Sequence, residues 1–184
     1  MPSVLTIIII VVAVIILAII FLYNSLIRLK NEVNNSFSQI DVQLKRRNDL
    51  IPNLVQTVKG YMKHEKGVLE SVTKARTSIM KASTIQQKAK ASNQISEALK
   101  TIFAVSENYP NLKANENFLQ LQEELTGTEN KVSYSRQHYN DIVMKFNNKI
   151  QVFPNNFLAN TLGFKEKELF TATESERKNI KVQF

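Results

Sequence analysis

The strongest concentration of charge in the sequence is the run Lys45, Arg46 and Arg47. Three adjacent cations could bind anionic lipid headgroups or the acidic face of a partner protein. An ordinary solvated helix face is the alternative interpretation. If the helix is straight, the run lies well beyond the reach of the bilayer surface, and a chain that folds back would restore that reach.

Other residue types that could do chemistry are few. There is no cysteine, and the two histidines, His64 and His138, are far apart in sequence. His64-Glu65 lacks the second histidine that a zinc-protease helix needs four residues on. Serines occur without a nucleophile motif, and the eight glycines and prolines are too few for phosphate-binding loops. We therefore predict a protein that is not an enzyme, with no catalytic residues, no cofactor and no metal site.

The net charge of +8 comes from 24 Lys and Arg against 16 Asp and Glu. No recognition motif accompanies this charge, so we do not expect nucleic-acid binding.

The segment that must carry these residues begins with an apolar run. Val4 to Leu22 is apolar except for Thr6, and the first charged side chain is Arg28. Nineteen helical residues span about 28 Å, close to the ~30 Å hydrocarbon core of a bilayer. We predict one transmembrane helix with ends at Val4 and Leu22, rather than a cleaved signal peptide, because a basic start and a small-residue cleavage pattern are missing.

Flanking charge predicts the orientation of this span. Residues 1–3 carry no Lys or Arg, whereas Arg28 and Lys30 follow the span and Tyr23 marks an interfacial position. The positive-inside rule places the following part of the chain in the cytoplasm. We therefore predict a single-pass protein of the cell membrane with residues 1–3 outside.

Beyond the span, the hydrophobic pattern predicts helices. Apolar positions recur in alternating steps of four and three from Val33 to Ala82, and only Arg47 and Glu65 interrupt them. This seam is typical of one long, coiled-coil-like helix. Pro52 lies inside it, and we favour a kink there over a reversal of the chain. A buried Arg47 would need an acidic partner, either Asp41 or Asp49 or an acid of another helix.

The remaining boundaries follow from caps and prolines. The sequence predicts a second helix from Thr84 to Asn108 and a third from Lys113 to Val152 that Pro154 stops. A short helix capped by Asn155 or Asn156 then runs to Leu162 and closes at Gly163. The fold prediction is all-α, with a helical bundle over residues 23–163 and a C-terminal strap over residues 164–184.

The predicted lengths do not match, because the first soluble helix would be about twice as long as the second. Either the chain folds back near Pro52, which gives four helices instead of three, or the uncovered seam pairs with a second copy. The second alternative predicts a homo-oligomer.

The ordered motifs resemble the LemA family of bacterial membrane proteins. The matching segments are residues 23–26, 40–54, 58–61, 64–65, 69–70, 109–115, 153–154, 163–164 and 182–184, together with Phe118, Leu121-Gln122, Glu124-Leu125, Thr128-Glu129 and Tyr139-Asn140. The resemblance implies a single N-terminal span, an external N-terminus and a helical bundle, and it supplies no enzymatic activity. We place the candidate interface within residues 45–54, at Lys45, Arg46, Arg47, Asp49 and Pro52.

These observations predict a membrane-tethered helical interaction or scaffold protein. Its bundle surface would bind protein partners, of unknown identity, or copies of the chain itself. The alternative is an envelope-associated protein that binds anionic lipid through a basic helix face.

Overall fold

The structure is a computed structural model that describes residues 3–171. The regular secondary structure of these residues is entirely α-helical, as the sequence predicts. The helices are α1 (Val4–Lys59), α2 (Lys66–Lys81), α3 (Ile85–Ser106), α4 (Pro110–Lys113), α5 (Glu116–Gln151) and α6 (Asn155–Thr161).

The beginning of α1 is the apolar run. It contains an 18-residue window of mean hydropathy 3.7, none of it buried, and it is long and apolar enough to cross a membrane. This segment is compatible with a membrane anchor, because apolar side chains on all sides of a helix need an apolar environment around the whole helix.

The prediction of one helix from Val33 to Ala82 is wrong. The helix ends at Lys59, and α2 begins at Lys66 after a turn that includes Gly60. Seam position Tyr61 is exposed and Met62 is buried instead. A chain that turns here can lay α2 back along α1, so that Val72 of α2 shares one apolar core with Leu54 and Val58 of α1.

Pro52 does not reverse the chain. Helix α1 continues through Pro52 for seven further residues, and Pro52 is exposed. The turn therefore lies seven residues beyond the position at which the sequence suggested a fold-back.

The described residues form two compact units, and α1 and α5 contribute to both. Unit 1 comprises residues 3–38 and 138–169, and unit 2 comprises residues 39–137 with 170–171. In unit 2, all five helices from α1 to α5 share one apolar core. Its fully buried members include Leu54, Val58, Met62, Val72, Ile95, Ile102 and Leu112.

Two polar pairs define the direction of α5 along α1 in unit 2. The Asn115 amide donates to the Tyr61 hydroxyl at 3.2 Å, and Arg47 pairs with Glu129. Tyr61 comes fourteen residues after Arg47, just beyond the end of α1, and Asn115 comes fourteen residues before Glu129, just ahead of α5. The two helices are therefore antiparallel and stay in register over four turns.

In unit 1, α1 and α5 meet through aromatic side chains. The rings of Phe37 and Tyr139 lie 5.7 Å apart, and Phe146 lies 6.4 Å from Phe164, which follows α6. The Tyr139 hydroxyl donates to the Glu168 carbonyl at 2.8 Å. Burial and the nearby Glu168 raise the pKa of Tyr139 above its usual value. The chain after α6 is thus held along α5.

The caps test the boundary predictions. Thr84 is the N-cap of α3, as predicted, and the structure shows that it forms a capping box with Gln87. Gly163 ends α6 with a φ of 70°, and the Phe164 amide donates to the Ala159 carbonyl at 2.9 Å, which is a Schellman closure. The predicted asparagine cap of α6 is wrong, because Pro154 is the N-cap and Asn155 is buried as the first helical residue.

The predicted strap lies only partly within the described residues. Residues 164–171 are non-helical, and the Asn147 side chain exchanges hydrogen bonds of 2.9 and 2.8 Å with the Lys167 backbone. Residues 172–184, including the alternating end Ile180 to Phe184, lie outside the described residues.

Candidate functional site

The most unusual side chain of unit 2 is Arg47, which is 0% exposed in the middle of α1. It occupies the one polar position of the seam between Leu44 and Ile51, both buried. A charged group is rarely buried without a partner, because desolvation of an ion is expensive. The packing of α1 against its neighbours therefore has to supply that partner.

Three residues of two other helices accept hydrogen bonds from the terminal nitrogens of Arg47, whereas its buried Nε has no hydrogen-bond partner within the described residues. One terminal nitrogen, Nη1, donates to a Glu129 carboxylate oxygen and to Ser96 Oγ at 3.1 Å. The other, Nη2, donates to the Ser92 carbonyl at 3.1 Å and to Ser92 Oγ at 2.7 Å. The arginine thus joins α1 to α3 and α5. We call Arg47, Ser92, Ser96 and Glu129 the buried polar cluster.

Glu129 balances the charge of the cluster. Both of its oxygens are used, since Ser96 Oγ donates to Oε1 at 2.6 Å while Arg47 donates to Oε2. Burial lowers the pKa of Arg47, and Arg136 acts in the same direction, while the charge and the hydrogen bond of Glu129 oppose them. An acid on another helix is thus the partner of Arg47, which is one of the alternatives that the sequence left open.

A second layer of polar contacts adjoins the cluster. Arg136 donates to Asn93 Oδ1 at 3.0 Å, and its guanidinium lies 5.0 Å from the centre of the Phe170 ring. Asn93 and Phe170 are both buried. The arginines of α1 and α5 are thus each held by side chains of other segments.

Pro52 is accommodated by a contact from α2. Because proline has no N–H, the carbonyl of Asn48 loses its normal helical donor. The side chain of Arg76 supplies a substitute, with Nε donating to the Asn48 carbonyl at 3.4 Å. The segment Arg47 to Pro52 is therefore linked by polar contacts to α2, α3 and α5.

The predicted candidate interface is divided by these contacts. Arg47 is in the core, whereas Lys45, Arg46, Asp49 and Pro52 are exposed. Lys45 Nζ lies 2.6 Å from the Asp49 carboxylate, one turn away on the same helix. The run of three cations therefore presents two of its charges to the outside, one of them paired.

The exposed members share one face of α1 with an apolar residue. Val42, Lys45, Arg46 and Asp49 follow the spacing of one helical face, and Val42 is largely exposed. Beside this face is a groove of about 290 Å³ lined by Lys45, Ile79, Met80 and residues around them. We call Val42, Lys45, Arg46, Asp49 and Met80 the α1–α2 surface.

A small groove opens next to Glu129. It has a volume of about 190 Å³, and Leu99, Phe103 and Leu125 supply its apolar walls. Sites for drug-sized ligands usually exceed about 300 Å³. The groove is thus too small for such a ligand, and the buried polar cluster is better described as a junction between helices than as a ligand pocket.

The histidines lie apart from the cluster. His64 is exposed in the turn between α1 and α2, and His138 is half-buried on α5 in unit 1. Across residues 3–171, no group of three or more His, Cys, Asp or Glu side chains is placed to hold a metal ion.

Sequence reasoning did not identify Ser92, Ser96 or Glu129 as partners. The signal for them was Arg47 itself, since an arginine in an apolar seam demands a carboxylate from another helix. Nothing in the spacing indicates which of the acids on the other helices that is.

Comparison with known proteins places this polar segment in a family. The model of the LemA family matches residues 36–184, which include the whole buried polar cluster. The chain belongs to the LemA family. Protein LemA of Metamycoplasma hominis is 28% identical over 158 residues, which cover 85% of this chain and 72% of that protein.

Two further relatives carry a different description. Magnetosome proteins MamQ 1 and MamQ 2 of Paramagnetospirillum magneticum are each 23% identical over 174 residues, which cover 80% of this chain. The chain spans 64% of the length of each. None of the three printed names states a reaction.

Proposed function

We propose that this LemA-family chain is a membrane-tethered interaction protein without catalytic activity. It presents a helical surface, on the cytoplasmic side of the cell membrane, to partner proteins or to copies of itself. The observation that carries the proposal is the continuity of α1. One helix holds both the exposed apolar run and the amphipathic seam that enters the core of unit 2.

The cytoplasmic orientation rests on the flanking charges. Arg28 and Lys30 follow the apolar run, and no Lys or Arg precedes it. Such a bias favours retention of the positive side in the cytoplasm.

The α1–α2 surface is the proposed contact area. It combines exposed apolar side chains, Val42 and Met80, with the charges of Lys45, Arg46 and Asp49. Apolar side chains surrounded by charges are typical of surfaces that bind other proteins. The buried polar cluster supports this surface from behind, because Arg47 fixes α1 against α3 and α5.

We favour protein binding over binding of anionic lipid by the same face. Lipid binding through a basic patch needs several free cations, each contributing about 1 kcal/mol near an anionic surface. Here Arg47 is buried and Lys45 is paired with Asp49. The exposed charges of the α1–α2 surface therefore have both signs, and they favour a partner protein whose surface also carries charges of both signs.

Cysteine replacement tests both parts of the proposal, because the natural chain has none. In intact cells, a membrane-impermeant maleimide should label Ser3→Cys and leave Ser133→Cys unlabelled. The reverse pattern would place the bundle outside the cell and contradict the proposed location.

A photoactivatable maleimide, which bonds to the introduced thiol and on irradiation inserts into C–H bonds of any protein in contact, then tests the surface. Applied to membranes, it should crosslink Arg46→Cys into a discrete larger product, either a dimer or a heteromeric adduct. Lys131→Cys, an exposed cation on α5, is the matched control and should give none. No discrete product at Arg46→Cys would count against the α1–α2 surface.

A further inference from the structure

A cluster of apolar side chains is exposed where α5 ends and α6 begins, in unit 1. Phe153 is 86% exposed and Phe157 is 75% exposed, and Val152 and Leu162 are also exposed. We call these four residues the α5–α6 patch. Phe118, Phe146 and Phe170 are by contrast buried. Two exposed phenylalanines so near each other indicate a surface that contacts something apolar.

The antiparallel packing of unit 1 sets the level of this patch along α1. Phe37 and Tyr139 face each other across the two helices. Fourteen residues toward the N-terminus on α1 is Tyr23, and fourteen residues onward from Tyr139 is Phe153. Fourteen helical residues of α1 cover about 21 Å, and the twelve of α5 that reach Gln151 cover about 18 Å, so Phe153 lies near the level of Tyr23, just after the apolar run.

A second observation gives the same level independently. Lys149, one turn before Phe153, lines a groove together with Phe21, Asn24, Ser25 and Arg28 of α1. Phe21 is itself exposed and belongs to the apolar run. The end of α5 is therefore beside the end of the apolar run and not elsewhere along α1.

The chain segment that carries the patch holds lysines, and two acids of neighbouring segments lie close to it: Glu166 accepts a hydrogen bond from Gln151 at 2.7 Å, and Glu32 lines the groove that contains Lys149. From Ile142 to Lys165, the charged side chains are Lys145, Lys149 and Lys165, with no acid among them. Apolar and aromatic side chains next to lysines are typical of segments that lie in the headgroup region of an anionic leaflet.

We propose that the α5–α6 patch is a second membrane contact, which inserts Phe153 and Phe157 into the leaflet at which α1 leaves the bilayer. The occupant of the patch is thus lipid, with Lys149 at the headgroups. This proposal rests on the proposed membrane anchor. It differs from the anionic-lipid alternative above, because it uses apolar insertion in unit 1 and not the basic run of α1.

Single tryptophans provide the test, because the natural chain has none. Full-length Phe153→Trp and Phe157→Trp variants are reconstituted into vesicles of phosphatidylcholine and phosphatidylglycerol, with or without lipids brominated along the acyl chain. Phe21→Trp is the control for the anchor. Tyr134→Trp, which replaces an aromatic residue that is 74% exposed on α5 in unit 2, is the control for an aqueous position.

Insertion of an interfacial segment reaches about 5–10 Å below the headgroups, so bromolipid should quench Phe153→Trp and Phe157→Trp at least about half as strongly as Phe21→Trp. Tyr134→Trp should be unquenched. Quenching of Phe21→Trp without quenching at 153 and 157 would overturn the second contact and leave the anchor intact.

Two other outcomes also decide the matter. Absence of quenching at Phe21→Trp would overturn the anchor and the second contact together. A blue-shifted emission at 153 and 157 that bromolipid does not quench, and that fades on dilution into excess lipid, would show that a second copy covers the patch, which also overturns the proposal. Because the replaced side chains are exposed, circular dichroism should show an unchanged helical content in every variant.

Discussion

Helix α1 contains two stretches whose apolar side chains differ in burial and in pattern. Residues 4–22 are apolar except for Thr6 and exposed except for the half-buried Leu22, whereas from Val33 to Val58 one seam is buried and the opposite face is mostly polar. A helix that is apolar all round needs lipid or a protein core around it, and an amphipathic one needs a single packing partner. The same backbone geometry is therefore compatible with two different surroundings, and only the side-chain pattern distinguishes the two stretches.

Arg47 is the charged residue within the otherwise apolar buried seam. It shows that a stretch packed against protein can hold a buried charge. Protein packing can bring a carboxylate and two serines to a fixed point, and lipid cannot. A charged residue at the centre of the apolar run would have no such partners and would oppose insertion. The buried polar cluster is therefore a feature that only the protein-packed stretch of α1 can hold.

The same substitution made in both stretches is the strongest test of this comparison. Leu54→Ala removes a fully buried side chain and should lower the free energy of unfolding by about 2–5 kcal/mol, because it leaves a cavity in the core. Leu17→Ala, in the exposed apolar run, should change the stability of the bundle by less than about 0.5 kcal/mol. Thermal unfolding of the full-length protein in mild detergent, followed by circular dichroism, measures both.

Equal losses in the two variants would break the comparison. They would mean that residues 4–22 pack against protein and not against lipid or detergent.

Removal of the charge partner of Arg47 should have the next largest effect. Glu129→Ala leaves a buried guanidinium without its carboxylate and should cost about 3 kcal/mol, at the low end for a buried ion pair because Glu129 is 36% exposed. This corresponds to a fall in Tm of about 6–12 °C for a domain of this size. Asp49→Ala is the matched control, since it breaks an exposed pair on α1 and should cost less than about 0.5 kcal/mol.

A double replacement sharpens the same prediction. Arg47→Met combined with Glu129→Leu removes both charges and should recover most of the stability that Glu129→Ala loses, because no ion is then left desolvated. If the double variant is less stable than Glu129→Ala, then the hydrogen bonds and packing of the buried polar cluster stabilise the fold beyond the pairing of its two charges.

The smallest expected effect concerns Pro52. Arg76→Ala should cost about 1 kcal/mol in the natural chain, because the Asn48 carbonyl then loses its substitute donor. In a Pro52→Ala background the helix restores that donor, and the cost of Arg76→Ala should fall below about 0.5 kcal/mol. A double-mutant cycle on Tm measures this coupling, with Lys74→Ala as the exposed control on α2. Equal costs in both backgrounds would show that Arg76 does not act through the carbonyl.

The sequence predicted those parts of the fold that depend on neighbouring residues. The N-cap at Thr84, the end of α5 before Pro154 and the closure at Gly163 all follow from residues within a few positions of each other. Caps, prolines and uniform apolarity act through the local backbone, so they are visible in the chain alone.

The continuation of the first helix to Ala82 could not be decided in the same way. A seam with steps of three and four is the same whether one helix continues or two helices face each other after a turn. The turn at residues 60–65 is selected because α2, folded back along α1, shares one core with it. The apolar surface buried in this core depends on contacts between residues distant in sequence, so the local hydrophobic pattern does not reveal it.

In the candidate site, too, some features were predictable from the sequence and others only from the tertiary structure. The sequence identified Arg47 as a residue that needs an acidic partner, and it placed Lys45, Arg46 and Asp49 on the same helix. Only the tertiary structure decided that Glu129 is that partner, that Arg76 serves the carbonyl freed by Pro52, and that Phe153 and Phe157 stay outside the core. Local backbone preferences determined where helices could begin and end, and the packing of whole helices determined which side chains meet, because burial and ion pairing act between segments far apart in the chain.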